Sequence, residues 1–269
     1  MKKSLLLSLF AFSLLVPAQA QTPTAPVTPY GDAVQNYTLA WSDDFKGNAL
    51  DLSNWDYRTD TKMWSAQLPE NISVSNGKLV IALKHEKSGK MDHTGGGVIS
   101  KRQFEFGYFE AKFKVPPGSG WHTSFWTAPY GLTTPGAKHN TPSIAENDIC
   151  EQDSVKTDKY SAGVIAWGNH GKGVGRKYVP TPNLAADFHV WGCELTPTTV
   201  KYFFDGKLTH QADVSHVKIG PANIWLTCIS SGLGGTHYVD DKQLPSTAEF
   251  EYVRYFQPNT PAPVPTPAQ

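Results

Sequence analysis

The sequence predicts an all-β fold, a single antiparallel β-sandwich with long loops, and three observations lead to it. No stretch of a dozen residues keeps a helical period with caps. The chain is punctuated at short intervals by 23 glycines and 20 prolines. Between these breaks, apolar and polar residues alternate with the period of two that puts every second side chain on one face of a strand.

Each element follows from its own residues. Ile72 to Leu83 contains Asn76-Gly77, and Lys201 to His210 contains Asp205-Gly206. Both dipeptides supply the positive φ angles of a type I′ turn between apolar alternations, so both segments are expected to be hairpins. From Phe109 to Val115 the residues Phe109, Ala111, Phe113 and Val115 alternate with Glu110, Lys112 and Lys114, the pattern of a strand with one buried and one wet face. Pro116-Pro117-Gly118 ends it. Glu249 to Gln257 holds five aromatic or β-branched residues in nine, again a strand by composition.

The two ends differ from the middle. Lys2 and Lys3 precede an apolar run from Leu5 to Val16 and then Ala18-Gln19-Ala20, the form of a signal peptide over residues 1–20. A run of twelve is shorter than the ~20 residues needed to cross a bilayer core. Secretion, to the periplasm or beyond the cell, is the expected localisation. Residues 21–34 form a Pro/Thr-rich N-terminal segment and 258–269 a Pro-rich tail, both extended tethers. Residues 35–257 are left as one β-sandwich domain, large enough for a sizeable core.

Charge narrows the partners. Without Lys2 and Lys3, 22 basic side chains face 24 acidic ones, a formal charge of −2, which favours neither nucleic acid nor an anionic membrane. A monomer is expected. Cys150, Cys193 and Cys228 each sit in an apolar, strand-like stretch, and three thiols cannot all pair, so buried free thiols are favoured over one disulfide and a leftover. There is no C-x-x-C, no H-E-x-x-H and no close Cys/His cluster along the chain, so no metal site is expected.

The chemistry is concentrated in Ala145-Glu146-Asn147-Asp148-Ile149-Cys150-Glu151. Glu146 and Asp148 are two apart and share a strand face. Glu151, an odd five positions from Glu146, would point the other way on a regular strand. A β-bulge near Ile149-Cys150 adds one residue and returns it to the same face. Four effective steps of about 3.3 Å then separate the glutamate Cα atoms by roughly 13 Å, and inward-leaning side chains close the gap toward the ~5–5.5 Å of a retaining glycosidase. Three acids on one face repel, so at least one holds a proton; Asp148, between the other two, is placed to share it. Aromatic segments flank the strand, Trp121 to Trp126 before it and Trp167 to His170 after it. Trp121, Trp126, Trp167 and His170 are the expected sugar contacts, with Trp126 rather than Phe125 facing the sugar. A solvated acidic face with core tryptophans is the plain alternative. A lectin-like binding module is the alternative of a different class.

At these residues the sequence resembles glycoside hydrolase family 16, the laminarinase, lichenase and agarase group, whose E-x-D-x-x-E signature is matched by Glu146, Asp148 and Glu151. The likeness continues through Leu39 to Phe45, Asn54-Trp55, Pro69-Glu70-Asn71, Gly97 to Val115, Phe125-Trp126 and Tyr252-Val253-Arg254. The resemblance implies a concanavalin-like jelly roll with a concave cleft. It implies Glu146 as nucleophile, Asp148 as its helper and Glu151 as general acid/base, acting on β-1,3- or mixed-linkage glucan, with an agar- or carrageenan-type galactan or transglycosylation on the same fold as alternatives. It implies no cofactor for the reaction. Asn147 departs from the family's usual aliphatic residue, Ser143-Ile144-Ala145 from its Gly-rich approach to the strand, and Ala166 from a common His. Glu251 stands where an Asp often helps to hold a structural calcium on the convex side, which counts against that ion here.

Overall fold

The structure is a computed structural model that describes residues 26–32, 34–130, 145–167, 171–230 and 238–260. The expected leader (1–20) and most of the tail lie outside these residues. Among the described residues the strands are β1 (Tyr37–Asp43), β2 (Trp55–Tyr57), β3 (Thr61–Lys62), β4 (Ser65–Gln67), β5 (Ile72–Ser75), β6 (Lys78–Ser88), β7 (Met91–Phe104), β8 (Gly107–Lys114), β9 (Trp121–Ala128), β10 (Ala145–Asp153), β11 (Lys159–Ala166), β12 (Lys172–Pro180), β13 (His189–Leu195), β14 (Thr199–Phe204), β15 (Lys207–Asp213), β16 (Ala222–Ser230) and β17 (Ser246–Pro258). The rest is loops and short 3₁₀ turns, and no helix among the described residues is long and apolar enough to cross a membrane.

Two antiparallel sheets face each other. The first runs β15, β14, β13, β8, β17, and β17 is flanked on its far edge by β1 and by the β6–β5 hairpin. The second runs β2, β7, β16, β9, β10, β11, β12. The outer half of β6 leaves the first sheet to pair with the start of β7, opposite Thr94 and His93, so this hairpin joins the two layers. The inner faces supply one hydrophobic core that includes Phe109, Phe113, Phe125, Trp121, Trp191, Leu226 and Phe250. This is the antiparallel sandwich that the alternation predicts, in the jelly-roll form that the resemblance implies.

The turn chemistry holds in detail. Asn76 and Gly77 adopt φ of 53° and 69°, and Asp205 and Gly206 adopt 48° and 75°, closing Ser75 on Lys78 and Phe204 on Lys207. The wet face expected for β8 is corrected at Glu110, which is fully buried. Its Oε2 accepts a 2.7 Å hydrogen bond from the backbone N–H of Tyr30, and Arg254 Nη1 lies 3.9 Å from Oε1. The N-terminal segment covers that part of the outer face, which an alternating pattern on β8 cannot reveal.

Cys150, Cys193 and Cys228 are all free and buried. Asn147 Nδ2 donates to Cys193 Sγ at 3.3 Å, and Thr123 Oγ1 lies 3.3 Å from Cys228 Sγ. Burial pushes the Cys193 and Cys228 thiols up to about 12.

Candidate active site

The acidic segment is β10, a central strand of the second sheet between β9 and β11. Its pairing shifts register between Asp148 and Cys150 on the β9 side and between Asp148 and Glu151 on the β11 side. The bulge expected from the spacing lies at that point, and Glu146, Asp148 and Glu151 all line one cleft, while Ile149 and Cys150 enter the core. Without the extra residue Glu151 would point into the hydrocarbon interior.

The neighbouring strands supply the partners. On β9 the residues alternate, so His122, Ser124 and Trp126 face the cleft while Trp121 and Phe125 face the core. Trp126 stacks on Trp225, with ring centroids 4.7 Å apart. From the far end of β11, Trp167 Nε1 donates a 2.9 Å hydrogen bond to Glu146 Oε2. On β12, Gly175 and Arg176 together oppose Gly163, and Gly175 has φ +64°, a bulge closed by glycine. A Cβ on Gly163 would come within 2.6 Å of Arg176 Cα, so glycine there admits Arg176. The guanidinium hydrogen-bonds Glu151 Oε2 and Ser161 Oγ and lies 3.8 Å from Asp148 Oδ2.

These contacts distribute the protons. Burial, aided by the charge of Glu151, raises Glu146 above the ordinary glutamate range, and the Trp167 hydrogen bond only partly offsets this. Burial and the charges of both glutamates raise Asp148 well above its ordinary value, and it hydrogen-bonds Glu146. Burial would raise Glu151 as well, but the hydrogen bond and charge of His122 and the charge of Arg176 outweigh it and hold this carboxyl below its usual range. His122 is buried, yet it lies between Asp153, 2.9 Å from Nδ1, and Glu151, 3.3 Å from Nε2. Those two carboxylates overcome desolvation and raise it to about 9. The site without substrate therefore favours an imidazolium at His122 and an ionised Glu151, and of the three carboxyls Asp148 is the one most inclined to keep a proton.

Of the sugar contacts expected from the sequence, Trp126 and Trp167 are at the cleft. Trp121 is not: it is only 2 % exposed and packs in the core, its ring 6.2 Å from that of His93. The period of two that puts His122 beside Glu151 turns Trp121 away. His170 lies outside the described residues. The cleft also contains residues that the sequence alone did not single out: His122 and Arg176, with Arg58, Lys62, Met63 and Ile229. Arg58 is fixed by Asp60 at 2.6 Å and lies 5.8 Å over the Trp225 ring. Beyond Glu151 a second hollow is lined by Asp153, Lys159, Tyr160 and the exposed ring of Tyr178. Glu251, on β17, is engaged by Lys112 Nζ at 2.6 Å.

Paired carboxylates in a cleft with indole walls can transfer a glycosyl group, one acid attacking carbon and the other moving a proton. Comparison with known proteins points to the same chemistry. The model of the family described as "Glycosyl hydrolases family 16" matches residues 59–253. A "Beta-glucanase" of Rhodothermus marinus is 27% identical over 251 residues, covering 84% of this chain and 87% of that protein. A "Beta-glucanase" of Acetivibrio thermocellus is 26% identical over 225 residues, covering 81% of this chain, and the chain spans 63% of that protein's length. The solved laminarinase from Rhodothermus marinus superposes with a TM-score of 0.72 at 24% identity, covering 82% of this chain and 97% of that one, a likeness of fold.

Proposed function

The chain belongs to glycosyl hydrolase family 16, and from that premise we propose that it is an exported, retaining endo-hydrolase of a β-linked polysaccharide, with β-1,3- or mixed-linkage β-1,3-1,4-glucan as substrate. The observation that carries this reading is the bulged β10, which brings Glu146, Asp148 and Glu151 into one cleft. The names of the two β-glucanase relatives support the glucan. Residues 1–20 support export, and the protein acts as a monomer.

Glu146 attacks the anomeric carbon, and Trp167 orients the carboxylate through Oε2. Asp148 keeps the shared proton off the attacking oxygen as charge leaves Glu146. Glu151 protonates the departing glycosidic oxygen and then takes a proton from the water that resolves the glycosyl-enzyme. In the free site Glu151 is ionised between His122 and Arg176. Substrate must therefore draw Arg176 off Oε2 and exclude water, which restores a proton to Glu151. His122 Nε2, 3.3 Å from Oε1, is an adjacent proton source.

A second reading within the fold, an anionic galactan, is favoured by Lys62 and Arg176, two cations that line the cleft. A lectin-like module would have no use for three carboxylates that repel one another. Reducing-end release from laminarin, lichenan, agarose and κ-carrageenan, with the first-formed anomer read by proton NMR, tests the reading. Release from laminarin or lichenan as the β-anomer is expected. Binding without release from any of the four would favour the lectin, and release of the α-anomer first would exclude retention.

A further inference from the structure

We infer that His85, His93 and Asp241 form a binding site for a divalent transition-metal cation of the zinc class, remote from the catalytic carboxylates in chemistry and in purpose. The register of the β6–β7 hairpin sets His85 directly opposite His93, and their rings stack with centroids 4.9 Å apart. Asp241, on the 3₁₀ turn before β17, presents one carboxylate oxygen to each ring: Oδ2 lies 3.1 Å from His85 Nδ1 and Oδ1 lies 2.7 Å from His93 Nε2. The three ligand atoms lie within 4.8 Å of one another.

Two imidazole nitrogens and a carboxylate are the donors that zinc takes, at bond lengths of ~2.0–2.2 Å, and a tetrahedron of that size has edges of roughly 3.3–3.5 Å. The two nitrogen-to-oxygen contacts, 3.1 Å to Oδ2 and 2.7 Å to Oδ1, are shorter than those edges, so an entering cation pushes the exposed carboxylate back by a few tenths of an ångström. The nitrogen-to-nitrogen edge closes by side-chain rotation, which the half-exposed His85 allows. Calcium and magnesium prefer all-oxygen shells and are poorly matched to two imidazoles. The open side of the trio admits water as a fourth ligand, and the cation takes the ring nitrogens that otherwise face the carboxylate. Linear spacing hides the site, because the histidines are eight residues apart and meet only through the hairpin, while the aspartate is far along the chain.

The position suggests a staple. The hairpin bridges the two sheets, and the segment before β17 is anchored to the approach of β9 by Asp240 N–H donating to Ser119 O at 3.1 Å. The edge of His93 also meets the face of the core residue Trp121. A cation here would tie the β6–β7 hairpin to the segment before β17.

The test uses the full mature protein stripped with a chelator and titrated with zinc chloride. One equivalent should bind with Kd below about 10 µM, and His85→Ala and Asp241→Asn should each weaken it about tenfold or more. Zinc at about a hundred times the wild-type Kd should raise the wild-type Tm and raise that of His85→Ala by clearly less. A readout that needs no variant is carbethoxylation mapped by mass spectrometry: zinc should protect His85 and His93, and calcium should not. The inference is overturned if wild type fails to bind zinc at that strength, if both variants bind it as wild type does, or if zinc leaves His85 and His93 as reactive as before. Each readout is independent of glycosidase activity.

Discussion

Trp167 Nε1 donates a 2.9 Å hydrogen bond to Glu146 Oε2, so an indole beside the end of β11 orients the proposed nucleophile and opposes the burial that raises its pKa. Trp167→Phe keeps an aromatic wall and loses the donor, so Glu146 should titrate at higher pH. The acid limb of the kcat/KM profile should move up, while Trp167→Tyr, with a hydroxyl donor, should move it less. An unmoved acid limb in Trp167→Phe would separate the indole from the nucleophile's ionisation.

Glu146→Gln and Glu151→Gln should each fold with wild-type Tm within a few degrees and lose about 10²-fold or more in kcat. Azide should partly rescue Glu146→Ala and Glu151→Ala, giving azide products of opposite anomeric configuration. A Glu151→Gln enzyme that kept more than about a tenth of wild-type rate would move the general acid to another residue.

Arg176→Met removes the cation that helps to hold Glu151 ionised. With folded-state Glu151 raised, the acid stays protonated to higher pH, so the alkaline limb of the profile should shift up. The limbs, read on laminarin across the pH range, distinguish this from a plain loss of binding, which would raise KM and leave both limbs in place.

His122 makes a prediction about stability. Its pKa rises from 6.5 to about 9 on folding. A raised folded value means that the contribution, on the order of 3 kcal/mol, is fully present below pH 6.5 and is lost as pH climbs through 9. The wild-type Tm should therefore fall over that window, and His122→Gln should be less stable at pH 6 and flatter above it. Equal slopes in the two proteins would place the linkage elsewhere.

Trp121 and Trp126 should part company on truncation. Trp121→Ala opens a core cavity and should cost about 3–5 kcal/mol in stability with little change in KM. Trp126→Ala should weaken substrate binding by about 1–3 kcal/mol, the scale of ring stacking on an aromatic. Chemical denaturation and Michaelis kinetics on the pair decide.

What could be read before the fold was seen, and what could not, divides along one line. The Asn76-Gly77 and Asp205-Gly206 turns and the β10 bulge are properties of a few consecutive residues, so their φ angles and facing could be read from spacing. The facing of Phe125 and Trp126 followed from period two in the same way, and that rule, applied from Trp126, would have removed Trp121 from the cleft. His122, Arg176 and the buried Glu110 depend on which strand lies beside which. Pairings of β9 with β10, and of β11 with β12, join residues far apart in sequence, and no local pattern records them.

Among the described residues the last strand in chain order lies inside its sheet, not at an edge. β17 pairs with β1, β6 and β8, so until it emerges from the ribosome these three strands lack the neighbour that joins them. Folding is postponed to the end of synthesis, and its dependence on contacts between remote residues makes it slow. A fragment stopped before Ser246 should stay aggregation-prone whatever strands it contains.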